Sequence, residues 1–157
     1  MSRKTWLLAI LVSSSFIFSQ SPLATKAPID RPVGNKTLED YNRMLEAIKP
    51  YVAQDKKTWP AAKGKYLKGL PAGHVFSITT ELVDMGGHHE IVFVTVQKIA
   101  DGIVSGTITN EINAVRGYSQ GQKYSIRETD ILDWTITKPD GTEEGNAVGK
   151  FLDTYTP

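Results

Sequence analysis

The chain contains no cysteine in its 157 residues. It therefore forms no disulfide and carries no lipid anchor on a cysteine. Neither sign of charge is in excess, since 18 basic residues stand against 17 acidic ones and the formal net charge is +1. Binding to a phosphate backbone requires several cations that release counterions, so this balance argues against nucleic acid as a partner.

An apolar segment opens the chain, but it is short. Arg3 and Lys4 precede the run from Trp6 to Phe18, which only three serines interrupt. A positive end followed by such a run is typical of an export signal, and the run is shorter than the roughly 20 apolar residues that a membrane span needs. We therefore predict a signal peptide over residues 1–19, cleaved after Ser19. The alternative is an uncleaved membrane anchor.

Export predicts a periplasmic or secreted protein with no stable transmembrane anchor after processing. Cleavage removes two basic residues, which leaves 16 basic against 17 acidic residues and a net charge of −1. Residues 20–35 contain three prolines and no apolar periodicity, so we predict a flexible tether there. Residues 36–157 are then one domain, large enough to bury a core without disulfides.

The first part of this domain has the periodicity of a helix. Thr37 and Asp40 have the spacing of an approximate capping box. Proline lacks the amide hydrogen and its ring collides with the preceding turn, so Pro50 is predicted to kink or end the helix near Lys49. A second short helix is predicted from Trp59-Pro60 to a stop at Gly69. The apolar residues at helical spacing are Leu38, Tyr41, Leu45, Ile48 and Val52.

From Val75 onward the apolar pattern changes to a period of two, which is typical of strands. Asp101-Gly102 is predicted to form a hairpin turn, and the short connections between strands favour antiparallel pairing. Asn146 is predicted to cap a terminal helix. The expected fold is α+β, with N-terminal helices followed by a bent antiparallel sheet of about five strands and a C-terminal helix. The predicted strands begin at Val75, Ile91, Ile103, Tyr124 and Ile131, and the helix face is Ala147, Val148, Phe151, Leu152 and Tyr155.

Four segments in a fixed order carry a family resemblance. They are Gly87–Val94, Asp101–Gly106, Gly121–Tyr124 and the pair Asp133-Trp134. In this order they resemble the YegJ-like family of small bacterial domains of unknown function (DUF 2314). The resemblance extends from about Trp59 to Leu152. It implies a small α+β fold with a bent antiparallel sheet, and it implies nothing about activity. One departure is that Asn110-Glu111-Ile112 lacks the proline that family members often carry in this loop.

Metal binding is the most specific chemical hypothesis that the sequence supports. His88, His89 and Glu90 are weak candidate ligands, with Asp84 and His74 nearby in sequence. Imidazole and carboxylate together are a legitimate ligand set for zinc. Adjacent residues at the start of a strand point to opposite faces, however, so only one of the two histidines would join a common site. The H-x-x-x-H spacing of a helical zinc site is also absent, and no cofactor is predicted.

A carboxylate-dependent hydrolase is a second hypothesis, since an exported protein would meet peptidoglycan and two opposed carboxylates can hydrolyse a glycoside. The candidate catalytic residues are Asp133, Glu143 and Glu144. The structural interpretation is that the nearby acids Asp130 and Asp140 serve turns, and that Glu143 and Glu144 are exposed charges ahead of the terminal helix, where negative charge is favoured. No G-x-S-x-G motif supports a nucleophilic serine.

A non-catalytic binding or interaction module of the bacterial envelope is the function that we predict, with the hydrolase as the alternative. Its partner would be an envelope protein or a small ligand. Lysines make the predicted helical region basic, whereas the last third of the chain is acidic. The two regions either face solvent or each other, or the lysine face binds anionic lipid headgroups or a partner protein. Trp134 is predicted either to pack in the core or to anchor a ligand. The predicted binding residues are Asp133, Trp134, Asn146, His89 and Glu90.

Overall fold

The fold is described by a computed structural model over residues 37–156, so the predicted signal peptide and tether, residues 1–35, lie outside the described residues. The described part consists of two helices, six strands and one turn of 3-10 helix at Glu128–Asp130. The helices are α1 (Leu38–Lys68) and α2 (Ala147–Leu152). The strands are β1 (Val75–Val83), β2 (His89–Ala100), β3 (Ile103–Ile108), β4 (Lys123–Arg127), β5 (Asp133–Thr137) and β6 (Glu143–Gly145).

Helix α1 is continuous over 31 residues, so the predicted helix end near Lys49 and the separate second helix from Trp59-Pro60 were wrong. Both internal prolines, Pro50 and Pro60, lie on the exposed side of the helix. A proline inside a helix costs about 3 kcal/mol or more, because it removes one backbone hydrogen bond and its ring crowds the preceding turn. Apolar side chains are buried on both sides of each proline, and their packing holds the helix together.

The two ends of α1 are as the sequence predicts. Thr37 and Asp40 form a capping box, in which each side chain accepts a hydrogen bond from the other residue's backbone N–H at 3.0 to 3.1 Å. The helix ends before Gly69, which has a φ of +92°. Within residues 37–156, no helix combines the length and the apolar content that a membrane span requires.

The sheet is antiparallel throughout, as predicted, and has the strand order β4-β3-β2-β1-β5-β6. Six strands are present where about five were expected. The additional one, β6, is only three residues long and pairs with Thr135–Thr137 of β5. Asp101 and Gly102 both have positive φ at the tight turn between β2 and β3, which confirms the predicted hairpin. A register shift between Val96 and Lys98 marks a bulge, which bends β2.

The core has two clusters, and α1 contributes to both. Near its start, Tyr41 donates a hydrogen bond to Glu81 of β1, and near its end Trp59 stacks on Phe76 of the same strand at 5.9 Å. Residues 76 and 81 point to opposite faces of a strand, so α1 reaches both faces of the sheet. The smaller cluster joins α1 to α2 through the buried side chains of Tyr41, Met44, Ile48 and Val148.

The packing of β3 against β2 at Gly106 leaves no room for a side chain. A Cβ added at Gly106 would collide with the backbone oxygen of Thr95 and lie 2.8 Å from Cγ1 of Val94. We expect Gly106→Ala to lower the free energy of unfolding by about 1–3 kcal/mol, because neither neighbour can move without disturbing the sheet. Gly64→Ala, in α1 and with no atom within 4 Å of the added carbon, should raise it by up to about 1 kcal/mol. Urea unfolding measures both, and equal effects of the two variants would contradict the strand packing described here.

Candidate functional site

Two carboxylic side chains are buried side by side where α1 crosses the start of β5. Asp133 is 0% exposed and Asp55 is 3% exposed, and the two carboxyl groups lie close enough for each to shift the pKa of the other. A hydrogen bond between two such carboxyl groups requires that one of them keep its proton. The surroundings of Asp55 are consistent with a shared proton, because its Oδ2 is buried and accepts no hydrogen bond from an N–H or hydroxyl group.

Asp133 is held by backbone N–H groups from its own strand and from α2. Its Oδ1 accepts from Trp134 at 2.6 Å, and its Oδ2 accepts from Val148 at 2.8 Å and Gly149 at 3.3 Å. Strand β6 does not extend to Trp134, so the Asp133 carboxylate satisfies an amide that would otherwise lie open at the sheet edge. It also satisfies the first amides of α2, which a helix leaves without internal partners.

Burial raises the pKa of Asp133 to about 8, and the charge and hydrogen bond of Asp55 act in the same direction. Burial also raises the pKa of Asp55, against the opposing effects of hydrogen bonding to Asp133, of the backbone N–H of Val148 and of the charge of Lys150. Two like charges in one buried site cannot both be ionised without a large penalty. We therefore describe the two residues as one pair that holds a single proton at neutral pH.

A cavity of about 350 Å³ lies beside this pair, between α1 and the segment 128–132. Asp55 forms part of its wall, and Trp59, Ile131 and Leu132 supply apolar surface. Glu128 is fixed at the wall, since its two oxygens accept from Nε1 of Trp59 at 2.8 Å and from Nζ of Lys63 at 2.7 Å. Burial opposes its ionisation, but these two donors hold the pKa of Glu128 below its ordinary value. Lys56 and Thr129 complete the lining.

The sequence did not point to Asp55 or to this cavity. The predicted break at Pro50 separated Asp55 from the apolar residues of the first helix. With α1 continuous, Asp55 lies seven residues after Ile48 and four before Trp59, which is the spacing of one helix face. An acidic residue on an otherwise apolar face is the signal that would have identified it.

Trp134 and Asn146, predicted as binding residues, are 6% and 8% exposed. The indole N–H of Trp134 donates to Oγ1 of Thr58 at 2.9 Å, which ties β5 to α1 next to Asp55. Asn146 occupies the position before α2, but its side chain makes no cap hydrogen bond and donates to Glu143 instead, at 2.6 Å. Asn146 thus lies at the predicted cap position, but the prediction that its side chain caps the helix was wrong. The first amides of α2 donate to Asp133 instead.

The two candidate metal ligands His88 and His89 have different partners. Nδ1 of His88 lies 3.0 Å from Asp84, whereas Nδ1 of His89 lies 2.8 Å from Glu81. Hydrogen bonds from backbone N–H groups in the turns at Arg116 and His88 hold the pKa of Asp84 well below its ordinary value. Within residues 37–156, no three histidine or acidic side chains are grouped as a metal site requires.

Glu90, the third candidate ligand, stabilises a loop. Its carboxylate accepts hydrogen bonds from the backbone N–H groups of Asn113, Ala114 and Val115 at distances of 2.8 to 3.2 Å. This binds the long connection between β3 and β4 to the start of β2. The interaction uses both oxygens of Glu90, so the side chain is engaged within the fold.

The candidate catalytic residues Glu143 and Glu144 do not join Asp133 in one site. They are neighbours on β6, so they point to opposite faces of the strand. Glu143 accepts from Asn146, and Glu144 pairs with Lys65 of α1. Of the three predicted residues, only Asp133 belongs to a carboxyl pair, and its partner is Asp55.

The fold and the buried pair define a class of small α+β domain in which one long helix crosses a six-stranded antiparallel sheet and a carboxyl pair docks a short terminal helix. The chain belongs to the family described as an uncharacterized protein conserved in bacteria (DUF2314), whose model matches residues 42–157. This confirms the resemblance read from the sequence. The family description states no activity.

A relative in Escherichia coli (strain K12), described as "Uncharacterized protein YegJ", is 29% identical over 80 residues. The match covers 51% of this chain and 52% of the relative, so it spans about half the length of each. No solved structure matches the chain.

The loop contact of Glu90 generates a prediction. We expect Glu90→Gln to increase amide hydrogen exchange at Asn113, Ala114 and Val115 by about tenfold, because the variant loses charge-assisted hydrogen bonds. Exchange followed by NMR measures the change. Glu111→Gln removes an exposed acidic charge of the same loop and should leave the three amides unchanged. Equal exchange in Glu90→Gln and the unmodified chain would show that Glu90 does not hold the loop.

Proposed function

We propose that this protein is an exported, non-catalytic binding module of the bacterial envelope, and that the cavity between α1 and segment 128–132 is its ligand site. The observation that carries the proposal is the cavity itself. Its volume of about 350 Å³ falls in the range of small-molecule pockets. Most of its lining is apolar, and a few polar groups stand among the apolar ones, as in such pockets generally.

The lining favours a compact ligand with an apolar, ring-sized body. Trp59, Ile131 and Leu132 offer the apolar contact. Glu128 is already oriented by Trp59 and Lys63, so the wall is formed before a ligand arrives and its ordering costs little on binding. Lys56 is exposed and lines the cavity, where it would meet a polar group at the ligand's end.

The hydrolase acting on cell-wall material is the alternative. A carboxyl pair that shares a proton favours it, because such a pair can supply both an acid and a base. Asp133, however, has no exposed surface and its oxygens are engaged by backbone N–H groups. Turnover of peptidoglycan fragments that Asp55→Asn abolishes would decide for the alternative.

Binding in the cavity is tested with small ring compounds. We expect indole and 2-phenylethanol to shift the NMR signals of the Trp59 indole N–H and of the Ile131 and Leu132 methyl groups. Leu132→Trp fills the cavity and should weaken this binding by at least about tenfold, since a ring-sized apolar contact is worth more than about 1.4 kcal/mol.

The matched control for this test is Leu67→Trp, which introduces the same side chain at an exposed position of α1. It should bind the probes as the unmodified chain does. Probe shifts that are absent from the cavity signals, or that Leu132→Trp leaves unchanged, would contradict the proposed site.

Export is tested separately. The full-length chain expressed in a Gram-negative host should appear in the periplasmic fraction with Gln20 as its first residue, because residues 1–19 have the order of a signal peptide. A chain that begins at Gln20 after an added Met should stay in the cytoplasm. Full-length polypeptide recovered unprocessed from the cytoplasm would contradict the export part of the proposal and leave the cavity part standing.

A further inference from the structure

We propose that the proton shared by Asp55 and Asp133 is a switch for the C-terminal helix, which stays docked while the proton is held and is released when it is lost. The proposal concerns the carboxyl pair and α2 alone. It does not depend on a ligand in the cavity, so the two proposals can fail independently.

Docking of α2 depends on the pair through direct contacts. Asp133 accepts from the amides of Val148 and Gly149, the second and third residues of α2. Val148 is fully buried against α1. One turn later, Phe151 stacks on Tyr51 of α1 at 4.5 Å. The position of Asp133 between α1 and α2 therefore sets whether these apolar contacts form.

Loss of the proton leaves two negative charges in one buried site. Asp55 would then be a carboxylate with a buried oxygen that meets no donor, next to the Asp133 carboxylate. An uncompensated buried charge is strongly destabilising. Repulsion would be relieved only if one of the elements that carry the pair moved away and admitted water.

The other charged groups around the pair do not replace the proton. Lys150 of α2 lowers the pKa of Asp55, but its ammonium is exposed and donates to the backbone oxygen of Gly145 at 2.7 Å. Glu143 of β6 is engaged by Asn146. On the cavity side, Lys63 pairs with Glu128, and Lys56 is exposed to solvent.

Of the three elements that meet at the pair, α2 is held least. Strand β5 is paired on both sides, with β1 and with β6. Helix α1 has 31 residues and contributes to both core clusters. Helix α2 has six residues and buries Val148. Release of α2 is thus the smallest change that separates the charges, and it uncovers the apolar surface around Met44 and Ile48.

The direction of the pH dependence follows from the raised pKa. Burial beside Asp55 raises the pKa of Asp133 to about 8, whereas a free aspartic acid has a pKa of about 3.9. The docked form therefore binds more protons than the released form between these values, and docking weakens as the pH rises through this window. Asp55 lines the cavity, which gives protons a route from solvent.

The experiment is amide hydrogen exchange of the whole chain at pH 5 and pH 9.5, corrected for the intrinsic effect of pH. We expect the protection of α2 amides, including Val148, to fall by at least about tenfold relative to β1 and β2, since each pH unit below the pKa can change the docking equilibrium by up to about tenfold. The contact between Tyr51 and Phe151 should be lost at the higher pH. Equal protection of α2 at both pH values would overturn the proposal.

Three variants separate the switch from other effects. Asp55→Asn is neutral and can donate to Asp133, so α2 should stay docked at both pH values. Asp133→Asn turns an N–H₂ group toward backbone donors, so α2 should be released at both, while β1 and β2 remain protected as evidence that the domain is folded. Glu143→Gln makes the same chemical change beside α2 and should keep the pH response of the unmodified chain. A normal pH response in Asp55→Asn would also overturn the proposal.

Discussion

Asp55 and Asp133 are buried together, and two ionised carboxylates cannot remain so close without strong repulsion. One proton resolves this conflict, and the backbone N–H groups of Trp134, Val148 and Gly149 donate to the Asp133 side chain. The same few atoms thus fix where α1 crosses the sheet, satisfy the open edge of β5 and dock α2. Removing one partner of a buried pair is costly, so we expect substitutions at either residue to affect the packing of all three elements.

The cavity and the carboxyl pair share one residue, because Asp55 is part of the wall of the first and half of the second. The other polar group fixed at the wall, Glu128, is held by Trp59 of the same helix and by Lys63 one turn later. A continuous α1 therefore carries both the docking of the terminal helix and the shape of the proposed ligand site. A break of α1 at Pro50 or Pro60 would separate residues that act together on one face of the helix. At Pro60, for example, it would separate Trp59 from Lys63, which both donate to Glu128.

Sequence patterns correctly predicted those parts of the fold that depend on interactions between residues close together in the chain. The capping box at Thr37 and the turn at Asp101-Gly102 depend on residues that are neighbours in sequence, and most of the antiparallel pairing joins consecutive strands. The pairing of β1 with β5 is the exception, because these strands are not consecutive. The continuity of α1 through Pro50 was missed because it depends on tertiary packing, which outweighs the local cost of proline. Strand β6 was missed because Glu143–Gly145 has no apolar pattern and exists only by pairing with β5. The cap of α2 was missed because Asp133 reaches it from another element.

The Asp133-Trp134 pair, which carried much of the family resemblance, is explained by structure. Adjacent residues on a strand point to opposite faces, so an acid followed by an indole at this place directs a carboxylate toward α2 and an aromatic ring toward Phe76 and Thr58. Both side chains are engaged within the fold, so their presence argues for the architecture and says nothing about a substrate. In the proposed ligand site, preference for a ligand would be set by the other residues of the lining, among them Lys56, Thr129 and Leu132.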